Sequence, residues 1–532
     1  MSELDKSELD EVNSDADTAL PDPLEMPVMV PDAMKDLHSF EAAPKHQEGL
    51  GFPGELVDDW QNVAIAKIGD LRQKYRSFRV YLDSCVKCGA CTDKCHYYLG
   101  TGDPKNMPVA RQDLLRSVYR RYYTIPGKVA PWLVGARDLT EDVLNEWYNY
   151  YHQCSQCRRC SVYCPYGIDT AEVSMAAREI MDTVGKGQKY CNEIIGKVHV
   201  IGNNLGMPAK AIKATMEDFE EELEEDTGIA IKLPVDKKGA DVLLVTPSAD
   251  FFAEPHIDGL FGYAKVFHEL GVDWTLSTTA SEAGNFGMFI GSYDNMRKVS
   301  LRIREAALEL GVKRIIFGEC GHAWRVAYAF LNTLAGPWDF LDPKYPVPQH
   351  ICEFTFDAIN DGKLKFDKTQ NDHMTLTFHD SCNVARATRM GDKPGGQFEI
   401  PRAVIKAVCN NYHDMDEDTI KEGTVCCGGG GGILTDDLMD IRVKGAQPRM
   451  RALRKVTEEH GVTNLAAICA ICKSQFAKVL PKYDFDMEAI QSVHQLVSNA
   501  IIMSDAPKEE ETKAPESAAD NKDEPIATNE AD

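Results

Sequence analysis

The chain of 532 residues has no apolar run of the ~18–20 residues that a membrane span requires. Its first residues, MSELDKSELDEV, carry neither the basic start nor the apolar segment of a secretory leader. Basic charge is scarce too: 58 Lys and Arg stand against 83 Asp and Glu, a net charge of −25. That imbalance argues against nucleic acid as a partner and against direct docking on anionic lipid. No flavin fingerprint is present. These absences predict a cytoplasmic chain, peripheral on the inner membrane face only through a partner subunit.

Cysteine, by contrast, is abundant at 17 residues. In a reducing compartment, thiols in such number bind metal or do chemistry rather than form staples. Eight fall in two runs: CVKCGACTDKC supplies Cys85, Cys88, Cys91 and Cys95, and CSQCRRCSVYCP supplies Cys154, Cys157, Cys160 and Cys164 before Pro165. Both are C-x2-C-x2-C-x3-C, a pattern whose first three thiolates wrap one face of a cubane while the fourth ligates the other cluster. The expected ligand sets are therefore Cys85, Cys88, Cys91 and Cys164 for one [4Fe–4S] cluster, and Cys154, Cys157, Cys160 and Cys95 for the second. Zinc instead favours two separated C-x2-C pairs. The first run has His96 where proline is usual. Between the runs, MPVARQDLLRSVYRRYY and LTEDVLNEWYNYYHQC have helical periodicity.

The C-terminal half contains two copies of one strand–turn–helix unit. Each opens with a strand, DVLLVTP at 241–247 and MTLTFHD at 374–380. Each has a second strand and turn, RIIFGECGHAW and LAAICAICKSQF, and closes with a helix, HICEFTFDAINDG and SVHQLVSNAII. Such alternation predicts an α/β sheet in each copy, with ligand sites at the strand-to-helix turns. In the second copy those turns carry Cys382, then Cys426 and Cys427, then Cys469 and Cys472. The first copy has Glu282-Ala283-Gly284 at the middle turn and keeps only Cys320, in GECGHAW.

The stretch TVCCGGGGGIL at 424–434 sets two thiols before five glycines. Adjacent thiols can bind two irons of one cluster without closing a ring on each other. The glycines are expected to let a bulky substrate approach. A phosphate-cradling loop would leave both cysteines idle, and no GK[ST] follows.

C-x(n)-CCG-x(n)-C-x2-C resembles the cysteine-rich CCG domain of heterodisulfide reductase subunits and of related lactate and glycerol-3-phosphate oxidoreductase subunits. The long helical insert between the two runs resembles the ferredoxin domains of succinate dehydrogenase and heterodisulfide reductase. Two ferredoxin motifs followed by two CCG units match the heterodisulfide reductase D type from about 60 to 502. CVKCGACTDKCHYYLGTGDPKNMPVARQ and the degenerate first unit resemble, more narrowly, the DsrK iron–sulfur subunits of the DsrMKJOP membrane complex of sulfur metabolism.

The resemblance implies a multidomain α+β chain: an N-terminal extension at 1–55 and a helical ferredoxin domain at 56–200. An acidic helix and linker would follow at 201–239, a degenerate CCG domain at 240–365, a complete CCG domain at 366–504, and an acidic tail at 505–532, with both termini disordered. It implies three iron–sulfur clusters, the third on Cys382, Cys426, Cys427, Cys469 and Cys472, in cubane or non-cubane form. Partners would be a DsrM-like haem-b membrane subunit and the other DsrMKJOP subunits, with DsrC, as disulfide or trisulfide, the protein substrate. The competing reading is an iron–sulfur subunit of a lactate, glycolate or glycerol-3-phosphate dehydrogenase fed by a separate flavoprotein.

Sulfur–sulfur reduction needs protons for the leaving thiolates, and His322 and His379 are candidate donors, each with an ordinary structural role as the alternative. Cys320 is read either as a substrate-facing thiol or as a small buried hydrophobe. Cys191, Cys352 and Cys409 fall on apparent helices and are read as packing residues. The acidic run MEDFEEELEEDTG at 216–228 is expected as a solvated helix.

Overall fold

The computed structural model describes residues 55–280, 282–435 and 438–505. The two termini expected to be disordered lie outside the described residues. Helices of eight or more residues are numbered in chain order.

Residues 55–200 build a helical unit. Helices α1 (Trp60–Lys74), α2 (Arg76–Ser84), α3 (Pro108–Tyr123), α4 (Glu141–His152) and α5 (Thr170–Thr183) pack around Leu115, Val118, Leu144, Trp147 and Ile180. Helix α3 starts on Pro108, whose missing N–H costs nothing at a first helical position. Helix α4 starts where Thr140 Oγ1 accepts from the Val143 amide at 3.3 Å, with Glu141 and Asp142 in its first turn. These are the two helices expected between the cysteine runs. The runs themselves are loops at helix ends.

Helices α6 (Lys189–Ile201) and α7 (Ala209–Thr227) lead to the sheets. Helix α7 is only half solvated. Its acidic side is exposed, but Ile212, Met216 and Leu223 turn inward, and the Phe219 ring meets Phe261 edge-on at 5.5 Å. The acidic run thus belongs to the packing of the first sheet.

That sheet has four parallel strands in the order β2-β1-β3-β4: Val242–Val245 (β1), Trp274–Thr275 (β2), Arg314–Phe317 (β3) and Gln349–His350 (β4). The second has three parallel strands in the order β5-β6-β7: Leu376–His379, Asn464–Ala467 and Ile490–Ser492. A parallel bridge from Leu376 to Tyr412 lies where β2 lies in the first sheet. The two units therefore share one strand order, as the sequence repeat implies. Strands β1, β3 and β5 are buried on every residue, the pattern of a sheet covered on both faces.

Helices α8 (His256–Glu269), α9 (Tyr293–Leu310), α10 (Gly321–Ala329) and α11 (Ile351–Asn360) serve the first sheet. Helices α12 (Gly396–Val408), α13 (Met439–His460), α14 (Ala470–Val479) and α15 (Val493–Ala500) serve the second. The units share one continuous core, from Met216 to Met503. Helices α8 and α15 cross closely, because a Cβ at Gly262 would overlap the His494 carbonyl. Beneath that crossing Glu319 is fully buried, paired with Lys473 at 3.2 Å and His494 at 2.7 Å and hydrogen-bonded by Ser492 at 2.6 Å. Burial opposes its charge, but Lys473 and these hydrogen bonds hold the carboxyl well below the usual range.

One difference separates the units. Where a turn is expected after Glu282-Ala283 in the first unit, the short helix Gly284–Phe289 forms, because Phe286, Met288 and Phe289 give it an apolar face to bury. The corresponding CCGGGGG has no such side chains and stays a loop.

Arg178 of α5 joins all three parts. Fully buried, it donates to the carbonyls of Tyr151 and Cys154 at 2.6 Å each, Phe289 at 2.8 Å and Gly431 at 3.1 Å. Burial pushes its guanidinium down to about 10, so it stays charged at neutral pH. Replacing it by Leu strands the carbonyls of Cys154, Phe289 and Gly431, at about 1 kcal/mol each or about 3 kcal/mol in total, while Tyr151 keeps the Cys154 amide at 3.2 Å. Arg178→Leu should therefore lower the urea midpoint of anaerobically prepared protein far more than Arg302→Leu at a half-exposed position.

Candidate metal centres

Each cysteine run is folded by residues in left-handed backbone. In the first, Lys87 and Gly89 take φ values of 58° and 81°, and in the second Gln156 and Arg158 take 56° and 62°. These conformations are costly for side chains other than glycine and persist only where neighbours fix them. Arg158 is fixed by Asp169 at 2.6 Å, and Gln156 is fully buried and donates to the Met288 carbonyl.

Cys85, Cys88, Cys91 and Cys164 line one space together with Pro165. Cys95, Cys154, Cys157 and Cys160 line a second. The fourth cysteine of each run thus faces the other run's first three. Cys160, Pro108 and Thr170 border both spaces, so the two are neighbours. Burial, with smaller contributions from Cys164 and Cys85, pushes the Cys91 thiol up to about 11. Arg111 is buried beside Cys95, with Nη1 3.4 Å from its Sγ. Burial opposes the Arg111 charge, but Cys95 and Cys154 outweigh it. All-sulfur donor sets with a buried guanidinium beside them fit anionic thiolate-bound clusters.

The third group lies where the second sheet's strands end. Cys382 begins a short helix after β5, Cys469 and Cys472 flank the start of α14 after β6, and Cys426 and Cys427 lie in the loop before α13. All five are nearly inaccessible, at 1–2% exposure. Sγ of Cys427, Sγ of Cys472 and a ring nitrogen of His379 lie within 4.8 Å of one another. Cys426 is held well below the thiol range by hydrogen bonds from Cys157, Cys382 and Cys427. His379 is pushed down to about 3 by burial, so its ring is neutral. Neither of its ring nitrogens has a hydrogen-bond partner among the described residues. Buried polar atoms left open beside five convergent thiols suit a group that occupies that space.

The first unit contributes residues as well. His322 Nδ1 lies 3.6 Å from Cys469 Sγ, and its Nε2 is buried with no partner among the described residues. Cys320 is 2% exposed and hydrogen-bonds Cys469. Its exposure matches that of Cys426 and Cys427, and its contact with Cys469 places it against the third group. Glu282, at the position matching the CCG cysteines, is pushed up to about 8 by burial. Cys191 and Cys352 lie on helices and Cys409 caps one, all buried. Cys191 nevertheless reaches the glycine loop, since a Cβ at Gly432 would come within 2.8 Å of its Sγ.

The glycines do a different job from the one expected. All five are buried. A Cβ at Gly429 would meet Gln475 at 2.8 Å; at Gly430, the Ser155 carbonyl at 3.0 Å and His322 Nε2 at 3.1 Å; at Gly431, the Cys154 carbonyl at 2.5 Å. The loop is bare so that it can lie flat on the second cysteine run. The chain itself takes the space beside Gly429, Gly430 and Gly431.

This contact joins the second space to the third. Cys157 of the ferredoxin run hydrogen-bonds Cys426. Ser155 Oγ lies 3.4 Å from Cys426 Sγ and 2.7 Å from His96 Nε2. His96 Nδ1 faces the Gly445 carbonyl at 2.7 Å, which can only accept, so Nδ1 carries the proton. Two arginines hold the adjoining loops: half-buried Arg386 donates to the Cys157 carbonyl at 2.6 Å, and fully buried Arg449 to the Val425 carbonyl at 3.2 Å. The motif spacing gave no sign of Ser155, Arg386 or Arg449. His96 stood out only as the residue in proline's place.

A family model described as a 4Fe-4S dicluster domain matches residues 81–168. The chain is 43% identical over 480 residues to an Hdr-like menaquinol oxidoreductase iron–sulfur subunit 2 of Archaeoglobus fulgidus, covering 85% of each chain. It is 42% identical over the same length and shares to an Hdr-like menaquinol oxidoreductase iron–sulfur subunit of Archaeoglobus profundus. Against the D component of the dihydromethanophenazine:CoB–CoM heterodisulfide reductase of Methanosarcina mazei it is 24% identical, over 79% of this chain and 94% of the relative. No solved structure matches.

Two outcomes follow from the geometry. Cys164→Ala should alter the same EPR signal as Cys88→Ala, and Cys95→Ala the same signal as Cys154→Ala; pairing within each run would contradict the exchange of fourth ligands. Gly430→Val should disturb the third centre's spectrum and lower stability, because its side chain meets Ser155 and His322. A variant with an unchanged spectrum and only impaired substrate use would restore the glycines as an entry path.

Proposed function

The chain belongs to the Hdr-like menaquinol oxidoreductase iron–sulfur subunits, and from that premise we propose that it relays electrons between a membrane-embedded partner and a sulfur–sulfur bond held near Cys426 and Cys427. It is an iron–sulfur oxidoreductase. No helix among the described residues is long and apolar enough to cross a membrane, so a lipid-soluble quinol would reach this chain's electrons through another subunit.

The observation that carries the reading is the row of three thiol sets. Cys160 borders both the first and the second, and Cys157 and Ser155 join the second to the third. We take Cys85, Cys88, Cys91 and Cys164 to hold the first cluster, and Cys95, Cys154, Cys157 and Cys160 the second. Cys382, Cys426, Cys427, Cys469 and Cys472 would hold the third. When bound, clusters in these sets supply one-electron transfer and, at the third, metal to which sulfur can bind.

Reduction of R–S–S–R′ consumes two electrons and two protons and releases RSH and R′SH. This chain's residues serve the protons and the charge. The imidazole of His322, beside Cys469, is placed to hold a proton at the third set, and the Ser155 hydroxyl links Cys426 to His96. His379, closed in by Phe476 at 4.9 Å, lies against Cys427 and Cys472 as the other candidate donor. Arg386 and Arg449 lie beside the loops that carry the charge.

The finer reading is that the sulfur substrate is a DsrC-type small protein in disulfide or trisulfide form, and that the membrane partner is a DsrM-like haem-b subunit within a DsrMKJOP-type complex. The first cysteine run with its flanking residues and the degenerate first unit support it. A dehydrogenase subunit fed by a flavoprotein is the weaker reading. A relative outside the Hdr-like group, the EtfAB:quinone oxidoreductase of Syntrophomonas wolfei, is 24% identical and matched over 55% of its own length.

Cys426→Ser tests the proposal. Protein prepared anaerobically should hold about twelve irons by cubane stoichiometry, and the variant should keep the two ferredoxin signals, since their ligands lie in another unit. Turnover with a DsrC-type disulfide should fall below detection. Full turnover after loss of the third signal would reject the assignment.

A further inference from the structure

The most exposed large apolar residues among the described residues cluster in one place. Ile125, Val129, Trp132 and Leu133 are 75–80% exposed, all on the short helix Ile125–Val129 and the 3-10 turn Pro131–Leu133 that follow α3. This segment is not loose. Thr124 Oγ1 accepts from the Gly127 amide at 3.2 Å, and the missing Cβ of Gly127 lets the turn close on the Arg120 carbonyl. Arg120 Nη1 holds the Val134 carbonyl at 2.9 Å, and the Arg137 amide donates to the Ser117 carbonyl at 3.1 Å. Four large apolar side chains are thus presented to solvent on a braced frame. A fold gains nothing from that arrangement, and it marks a contact surface.

The charge around it is also unusual. Of the four basic residues at 120–138, Arg121 pairs with Asp138 at 2.6 Å and Arg137 with Glu146 at 2.8 Å, so Arg120 and Lys128 set the sign of the rim, in a chain of net charge −25. A surface that is apolar at its centre and basic at its rim suits an apolar, acid-rimmed protein face. Its position suits electron entry. Arg116 of α3 donates to the carbonyl of Cys85, and Arg120, one turn further along the same helix at about 6 Å of rise, braces the exposed segment through the Val134 carbonyl. Bare lipid on this segment would bring no redox group to that end of the chain.

We propose that Ile125, Val129, Trp132 and Leu133, rimmed by Lys128, form the docking surface for the membrane-embedded redox subunit, placing its electron carrier next to the Cys85–Cys164 centre. This rests on the electron-relay reading above and assigns the side on which the relay meets the membrane. The third centre, at the far end of the row, then faces away from that contact.

The test uses the full chain expressed in its native host. Trp132→Asp and Leu133→Asp replace exposed side chains and should leave iron content and dithionite-reduced spectra unchanged. Retention on washed native membranes should fall roughly thirtyfold or more, the factor of a central hot-spot anchor. Lys128→Glu should weaken retention less and in a salt-dependent way. Retention of both Asp variants at the native level would overturn the proposal. So would equal binding of the native chain to protein-free phosphatidylcholine–phosphatidylglycerol vesicles, which would make the surface a lipid anchor. Reduction of the clusters by a menaquinol analogue in the same membranes reports separately on the relay: release of the variants without any quinol-driven reduction of the native chain would uphold the surface and reject the relay.

Discussion

Everything at the centre of this molecule depends on buried guanidinium groups satisfying the carbonyls of its cysteine loops. Arg178 alone reaches the ferredoxin unit, the first sheet unit and the glycine loop of the second. Loops that carry metal ligands have irregular backbones, and their carbonyls cannot pair along a ladder. Buried without partners, each would cost more than most packing contacts return. Arginine resolves this because one planar side chain carries five donors. The same groups supply positive charge where thiolates accumulate, so one set of residues meets both the hydrogen-bonding and the electrostatic demand.

That constraint explains the bare loop. If Cys426 and Cys427 must lie against the Cys154–Cys157 turn, the residues after them must pass between two backbones. Side chains at Gly430 and Gly431 would meet Ser155 and Cys154. Glycine costs conformational entropy on folding, and the cost is accepted where the centres must approach each other. The thiols end up buried at the meeting point of three units, and the protein spaces them itself.

The degenerate first unit has lost cysteines but not its place. It keeps the strand order of the second unit, sets His322 beside Cys469 and closes the site with Cys320. Its Glu319 pairs with Lys473, the residue after Cys472, so the two units are locked together one residue behind the thiols. Breaking such a pair on one side would leave an uncompensated buried charge. The repeat thus serves as a rigid half-shell around the complete site.

Much of this was legible in the sequence because its signals are local. Three cysteines at fixed spacing wrap a cluster face whatever surrounds them. Alternating strands and helices declare a parallel sheet, and a repeat declares itself by order; hence the two runs, the exchanged fourth cysteines and the two α/β units. The purpose of the glycines was not legible, because an empty side chain says that something comes close but not what. Nor were Ser155, the arginine fan or the inward stripe of α7, each of which acts through a partner more than a hundred residues away or through a face chosen by packing. The net charge of −25 likewise hid a basic, apolar segment. Sequence determined which atoms can bind metal, because ligand chemistry belongs to the residue. Only the tertiary structure decided which centres touch and which faces stay bare, because proximity and exposure belong to the whole chain.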